Sequence, residues 1–309
     1  MRIAVLAGGV GGARFVQALR EFVEPAGITV IANVGDDLEL HGLHVSPDLD
    51  TLLYTLAGLA DEERGWGRAA ETWNALETIE QLGGPGWFKL GDRDLGLHLV
   101  RTEALRRGEP LSGVTRELAR AVGLDVTLLP ATDERLRTRI RTPAGEFEFQ
   151  EWFVRRGHAD AVQEVVYDGA AEARPAPGVL EALAGAELIA IAPSNPFVSI
   201  GPILAVGEIQ RELERRRAQV VAVSPLIGGR AVKGPAEAMF MSLVGGTSAA
   251  QVTDCYKGLI DALVIDEADA ADADAVAGRG VRPLVTRTLM AEPEARRALV
   301  ETVLGLVPA

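Results

Sequence analysis

Several short segments combine glycine, carboxylate and amide side chains at spacings suited to holding a phosphorylated ligand. The first is Ala7-Gly-Gly-Val-Gly-Gly-Ala-Arg14. Packed glycines let backbone N–H groups approach an anion, and the N-terminus of a following helix adds partial positive charge. Neither common phosphate fingerprint fits. A dinucleotide motif begun at Gly9 needs glycine where Arg14 stands, and the Gly-Lys-Ser/Thr ending of a P-loop is missing. Gly9, Gly11 and Gly12 are the expected nucleotide contacts; the alternative is a tight turn that needs glycine only for packing.

The second segment, Ile31-Ala-Asn-Val-Gly-Asp-Asp37, is followed by Ser46-Pro-Asp-Leu-Asp-Thr51. Carboxylates so grouped commonly hold Mg²⁺ against phosphates or steer a hydroxyl that must lose a proton. Asp36, Asp37 and Asp48 are the expected metal ligands, although Pro47 and Asp48 also suit a helix start. In Trp87-Phe-Lys-Leu-Gly-Asp-Arg-Asp94, cations alternate with acids and can clamp a polyanion. Ala192-Pro-Ser-Asn-Pro196 offers uncharged hydrogen-bonding groups on a stiff turn, with Ser194 and Asn195 as nucleotide contacts. Val223-Ser-Pro-Leu-Ile-Gly-Gly-Arg230 repeats that plan, with Gly228 in the same role.

These segments need a frame that brings them to one rim. The apolar run 2–7, the glycines, an amphipathic stretch over 13–22 and a second apolar run over 28–32 predict a βαβ opening with parallel strands. Similar strands are expected over 187–192, 220–223 and 262–265. The expected fold is α/β, a Rossmann-like, doubly wound, mostly parallel sheet that binds ligand at the carboxyl ends of its strands. Residues 1–50 and 160–309 form the core, and 51–159 a mostly helical insertion with a β hairpin from 138–141 and 146–153.

The chain is 48% hydrophobic and 24% charged, enough to bury a large core. Its net charge of -13 argues against bulk nucleic-acid binding. The run from Arg211 to Arg217 alternates sign and reads as a solvated helix face. Cys255 is the only cysteine, which excludes an internal disulfide and fits a cytoplasmic setting. No apolar stretch approaches the ~20 residues needed to span a bilayer. His41 and His44 offer little material for a metal site. The Ala/Asp stretch over 268–277 reads as a solvated helix start, because aspartates at that spacing do not converge.

Taken together, the chain resembles the 2-phospho-L-lactate transferase family, the CofD-like proteins, and especially its actinobacterial phosphoenolpyruvate-using branch. The resemblance runs nearly end to end. It is carried by Leu6-Ala-Gly-Gly-Val-Gly-Gly-Ala-Arg-Phe15, Asn33-Val-Gly-Asp-Asp37, Pro47-Asp-Leu-Asp-Thr51, Arg64-Gly-Trp-Gly67, Leu90-Gly-Asp-Arg-Asp94, Leu129-Pro-Ala-Thr-Asp133, Phe149-Gln-Glu-Trp152, Ala192-Pro-Ser-Asn-Pro196 and Ser224-Pro-Leu-Ile-Gly228.

The resemblance implies transfer of a 2-phospholactyl or phosphoenolpyruvyl group from a guanosine-diphosphate-linked donor to 7,8-didemethyl-8-hydroxy-5-deazariboflavin. GMP is released and a precursor of the deazaflavin coenzyme F₄₂₀ is formed. It also implies Mg²⁺ as cofactor, a homodimer, and catalytic roles for Asp50 and Lys89, which together with Asp92 contact the deazaflavin. Some CofD-like proteins are nucleotide-sugar-binding regulators without transferase activity, but the run from Arg64 to Asp94 resembles the transferases. A nicotinamide-dependent oxidoreductase would rest only on the βαβ opening, and Arg14 counts against it.

Overall fold

The apolar runs become the strands of one seven-stranded, all-parallel sheet in a computed structural model that describes residues 1–307. Its strands are β1 (Ile3–Ala7), β2 (Ile28–Ala32), β3 (Thr127–Pro130), β4 (Leu188–Ile191), β5 (Gln219–Val223), β6 (Ala262–Asp266) and β7 (Arg282–Thr286). They lie in the order β7-β6-β5-β4-β1-β2-β3. β1 is buried at every residue, which is why it reads as an unbroken apolar run and not as alternation. Val5 pairs with Val30 on one side and Ala190 on the other.

The chain steps outward from β1 to β2 and β3, then returns to the far side of β1 as β4. The loops after β1 and β4 therefore diverge, opening the crevice where ligands bind in sheets of this kind. Helix α1 (Gly9–Leu19) buries Phe15, Val16, Ala18 and Leu19 and packs beside α2 (Pro47–Leu56). Then come α3 (Asn74–Gln81), α4 (Asp92–Arg106) and α5 (Leu111–Ala121), the last packed against β3.

Within the stretch expected as an insertion, 51–159, the chain rejoins the main sheet, because Thr127–Pro130 is its outer strand. An edge position tolerates Pro130, and a four-residue apolar run does not announce which sheet it will join. The expected hairpin forms from Arg137–Thr142 and Gly145–Glu148, with Glu164–Asp168 added antiparallel on the other side. It stops short of Phe153, since Glu151–Arg155 form a π-helical turn. Phe149, Trp152 and Phe153 stand at i, i+3 and i+4, a helical spacing that buries Trp152 against the hairpin. Among the described residues, no helix is long and apolar enough to cross a membrane.

Candidate active site

A cavity of about 740 Å³ opens at the carboxyl ends of β1, β2, β4 and β5. One end is walled by the glycine loop, Asp36, Asp48 and Pro193 to Asn195. Elsewhere its wall carries the aromatic rings of Trp66, Trp87, Phe88, Phe149 and Phe153. Phe149 and Phe153 stack with ring centroids 5.4 Å apart. Three cations also line it: exposed Arg14 and Lys89, and Lys233, whose Nζ donates to the Gly65 carbonyl at 2.8 Å.

The glycine loop meets the β4 loop so closely that packing accounts for part of its composition. A Cβ on Gly11 would lie 2.7 Å from the Pro193 carbonyl oxygen, and one on Gly12 would lie 2.7 Å from Ser194 Oγ. Gly9 adopts φ 66°, a left-handed conformation that side chains disfavour. Gly8, the residue before α1, has no side chain to cap it, and Asp48 takes the Gly9 N–H, which leaves the following N–H groups to the cavity wall. Gly9 and Gly11 line the cavity, whereas Gly12 faces Ser194.

The Ser194 hydroxyl donates to the Gly8 carbonyl, and the Asn195 side chain accepts from the Phe197 N–H at 2.8 Å. Both therefore hold the loop as well as line the cavity. Gly228 lies off the cavity wall in a tight hairpin with Gly229, both at positive φ. Their N–H groups donate to Asp269 at 2.9 and 3.0 Å. Asp269 belongs to the Ala/Asp stretch, so that stretch braces a loop.

The acids after β2 divide by direction. Asn33, fully buried, places its Nδ2 3.2 Å from Asp36 Oδ1 and 2.9 Å from Asp48 Oδ2, bringing the two carboxylates together. Asp36 also accepts from Gln150 Nε2 at 2.9 Å. Burial, then the charges of Asp48 and Asp37, push the Asp36 carboxyl well above its usual range, against the Gln150 bond. Burial lifts Asp48 to about 6, against the pull of Asn33 and the Gly9 N–H.

Asp37 turns away from the cavity and accepts from Ser46 Oγ and His44 Nε2, both at 2.9 Å. Among the described residues, no three Asp, Glu, His or Cys side chains form a complete cage for a metal. Two buried, mutually repelling carboxylates bridged by a neutral amide nevertheless suit Mg²⁺, which takes one or two protein carboxylates and completes its shell with phosphates and water.

A second polar group lies between α2 and α4. Asp50, in the first turn of α2, is paired through both carboxylate oxygens with Arg101 of α4, at 3.0 Å for Nη1 and closer still for Nη2. Both residues are buried. Tyr54 Oη donates to Asp94 Oδ1 at 2.5 Å, and His98 lies between Asp94 and Asp50. Burial drives the Tyr54 phenol pKa far up, aided by the charges of Asp50 and Asp94. Asp92 lies off the cavity wall: its carboxylate caps α3, accepting from Asn74 and Ala75 N–H and from Thr72 Oγ1. Asp94, two residues on, is the carboxylate that lines the cavity.

Sequence reasoning assigned no role to Asn33, Tyr54, Asp94, His98, Arg101 or Gln150. A signal was present, because Asp94, His98 and Arg101 repeat at i, i+4 and i+7, and Asp50 and Tyr54 at i and i+4. These are single faces of two helices.

Compared with known proteins, residues 3–285 match the family described as 2-phospho-L-lactate transferase CofD. The chain is 43% identical to a Streptomyces griseus protein named phosphoenolpyruvate transferase, over 99% of this chain and 98% of that one. A Mycolicibacterium smegmatis protein of the same name is 41% identical, with 99% and 98% covered. A solved structure from Bacillus halodurans, a member of the upf0052 family, superposes with a TM-score of 0.60 at 18% identity, covering 92% of this chain and 91% of that one. It shares the fold.

Proposed function

Since the chain belongs to the 2-phospho-L-lactate transferase CofD family and is a transferase, we propose that it moves a phosphoenolpyruvyl or 2-phospholactyl group from a guanosine-diphosphate-linked donor to 7,8-didemethyl-8-hydroxy-5-deazariboflavin. The ribityl hydroxyl oxygen attacks the phosphorus bearing the three-carbon acid. The bond from that phosphorus to GMP breaks, GMP leaves, and the hydroxyl proton is lost. The observation that carries this reading is one cavity with two chemistries: a glycine-opened helix N-terminus and an acid pair at one end, and aromatic rings with a polar helix wall elsewhere.

The glycine loop and the N-terminus of α1 bind the diphosphate through backbone donors. Arg14 offers a mobile positive charge on the same helix. Asp36 and Asp48 would hold Mg²⁺, which would draw off phosphate charge that opposes an incoming alcohol. The aromatic rings bind the planar deazaflavin and exclude water. Asp50 and Lys89 bound the acceptor end. Because Arg101 pairs with both oxygens of Asp50, that carboxylate fixes the polar wall, and the guanidinium beside it favours the charged form over a proton-accepting role. With little covalent work for the protein to do, positioning and charge placement supply the rate.

The test is to incubate the protein with the deazaflavin, Mg²⁺ and each synthetic donor, following product mass and GMP. We expect one phosphorylated three-carbon adduct per GMP formed. A protein that binds GDP-linked ligands yet leaves both donors intact would be a nucleotide-binding regulator, and the transferase reading would fall.

A further inference from the structure

Two carboxylates on neighbouring helices border the cavity in opposite situations. Both oxygens of Asp50 are taken by Arg101. Asp94 is engaged through Oδ1 alone, which accepts from Tyr54 Oη at 2.5 Å and lies 3.4 Å from His98 Nε2. Its Oδ2 has no hydrogen-bonding partner among the described residues, and its side chain keeps 14% exposure on the cavity wall.

The imidazole behind it has a defined orientation. Arg101 Nη1 stands 3.3 Å from His98 Nδ1, and a guanidinium can only donate, so Nδ1 faces a donor while Nε2 faces Asp94. A second ring proton would point at the guanidinium. The charged and titratable groups around the ring are Asp50 and Tyr54 from α2, and Asp94 and Arg101 from α4.

We infer that Asp94 is a further substrate-contacting residue of the proposed transfer, its Oδ2 accepting a hydrogen bond from a hydroxyl of the acceptor, with Tyr54 as the positioning residue that holds Oδ1 and His98 standing beside it. This rests on the transferase reading for the acceptor's identity. Burial alone would raise the Asp94 carboxyl, but His98, Tyr54 and Arg101 outweigh it and hold it below its usual value, so the anion is present at neutral pH.

The experiment has two arms. In the first, binding of the deazaflavin is followed by its fluorescence, and turnover at saturating donor, for wild type and Asp94→Asn. A wild type that does not bind the acceptor sinks the inference together with the reading beneath it. If wild type binds, Asp94→Asn should lower kcat/KM for the acceptor about ten- to a hundredfold, the value of one charge-assisted hydrogen bond, with donor KM unchanged. Tyr54→Phe should lower it in the same direction by less. Unchanged acceptor binding and turnover in a folded Asp94→Asn overturn the inference alone.

The second arm reads the wild-type protein, with a variant used only to assign one resonance. Nitrogen-15 NMR of its four labelled histidines, with His98 assigned by His98→Gln, should show a His98 resonance that shifts on acceptor addition. A resonance unmoved by saturating acceptor overturns it.

Discussion

Ser194 Oγ donates to the Gly8 carbonyl oxygen at 2.7 Å and lies 3.3 Å from the Gly8 N–H, so one hydroxyl joins the β1 and β4 loops across 186 positions of sequence. The two loops that diverge from the centre of the sheet are thereby held as a unit. Ser194→Ala should leave a buried carbonyl without its partner and cost about 1–3 kcal/mol of stability. GDP affinity should fall with it, because the backbone donors at Gly9 and Gly11 lose their brace. Thermal melts and GDP titration check this; unchanged GDP affinity would mean the loops hold their places without the serine.

Asp48 gives a dependence on pH with a definite sign. Its carboxyl is raised from 3.8 to about 6 in the folded, ligand-free protein. The folded state therefore holds the proton more tightly than the unfolded state does. That stabilisation is fully present below about pH 4 and is lost as pH rises through 6. Asp48→Asn should be the more stable protein at pH 7, by on the order of 2–3 kcal/mol, with the gap closing toward pH 4. It should also lose activity. Paired melts from pH 4 to 7.5 decide it, and a gap that does not change with pH would show that Asp48 carries no raised pKa.

Asp50→Asn removes the counter-charge of a buried guanidinium. The expected loss is about 3–5 kcal/mol of stability, larger than any capping effect, because Arg101 would stay buried and unpaired. Replacing both partners, Asp50→Leu with Arg101→Met, should restore much of that stability while leaving turnover impaired. Normal turnover in the stable double variant would remove the pair from the reaction.

Turnover should require a divalent cation. Mg²⁺ or Mn²⁺ should support it, and excess EDTA should abolish it while leaving deazaflavin binding intact. In Asp36→Asn the Mg²⁺ concentration for half-maximal rate should rise. Full activity in EDTA would leave the acid pair without a metal to hold.

Much of the frame is legible from local pattern. The opening strand, helix and strand and the loops after β2, β4 and β5 follow from apolar runs ended by glycine, proline and acids, because a buried parallel strand writes itself as a continuous apolar word. The division of labour among the acids is not local. Asp36 and Asp37 are adjacent in sequence yet point apart, because Asn33 and Gln150 claim one while Ser46 and His44 claim the other. The partnership of Asp50 with Arg101 spans 51 positions and exists only once α2 and α4 lie side by side. Asp92 and Asp94 illustrate the same limit: two acids on one helical turn, of which one caps a neighbouring helix and the other faces the cavity.

The caps of α3 and α4 are reciprocal. Asp92, the first residue of α4, accepts from the leading N–H groups of α3 at 3.2 and 3.0 Å, while Glu71, just before α3, accepts from Arg93 and Asp94 N–H of α4 at 2.8 and 2.9 Å. The first turn of α4 cannot unwind without stripping the cap from α3, and the segment leading into α3 cannot shift without stripping the cap from α4. The two should therefore open to solvent as one cooperative unit, their amides sharing a single hydrogen-exchange free energy. Because α4 carries Asp94, His98 and Arg101, a disturbance on the exposed face of α3 reaches the cavity wall without touching it.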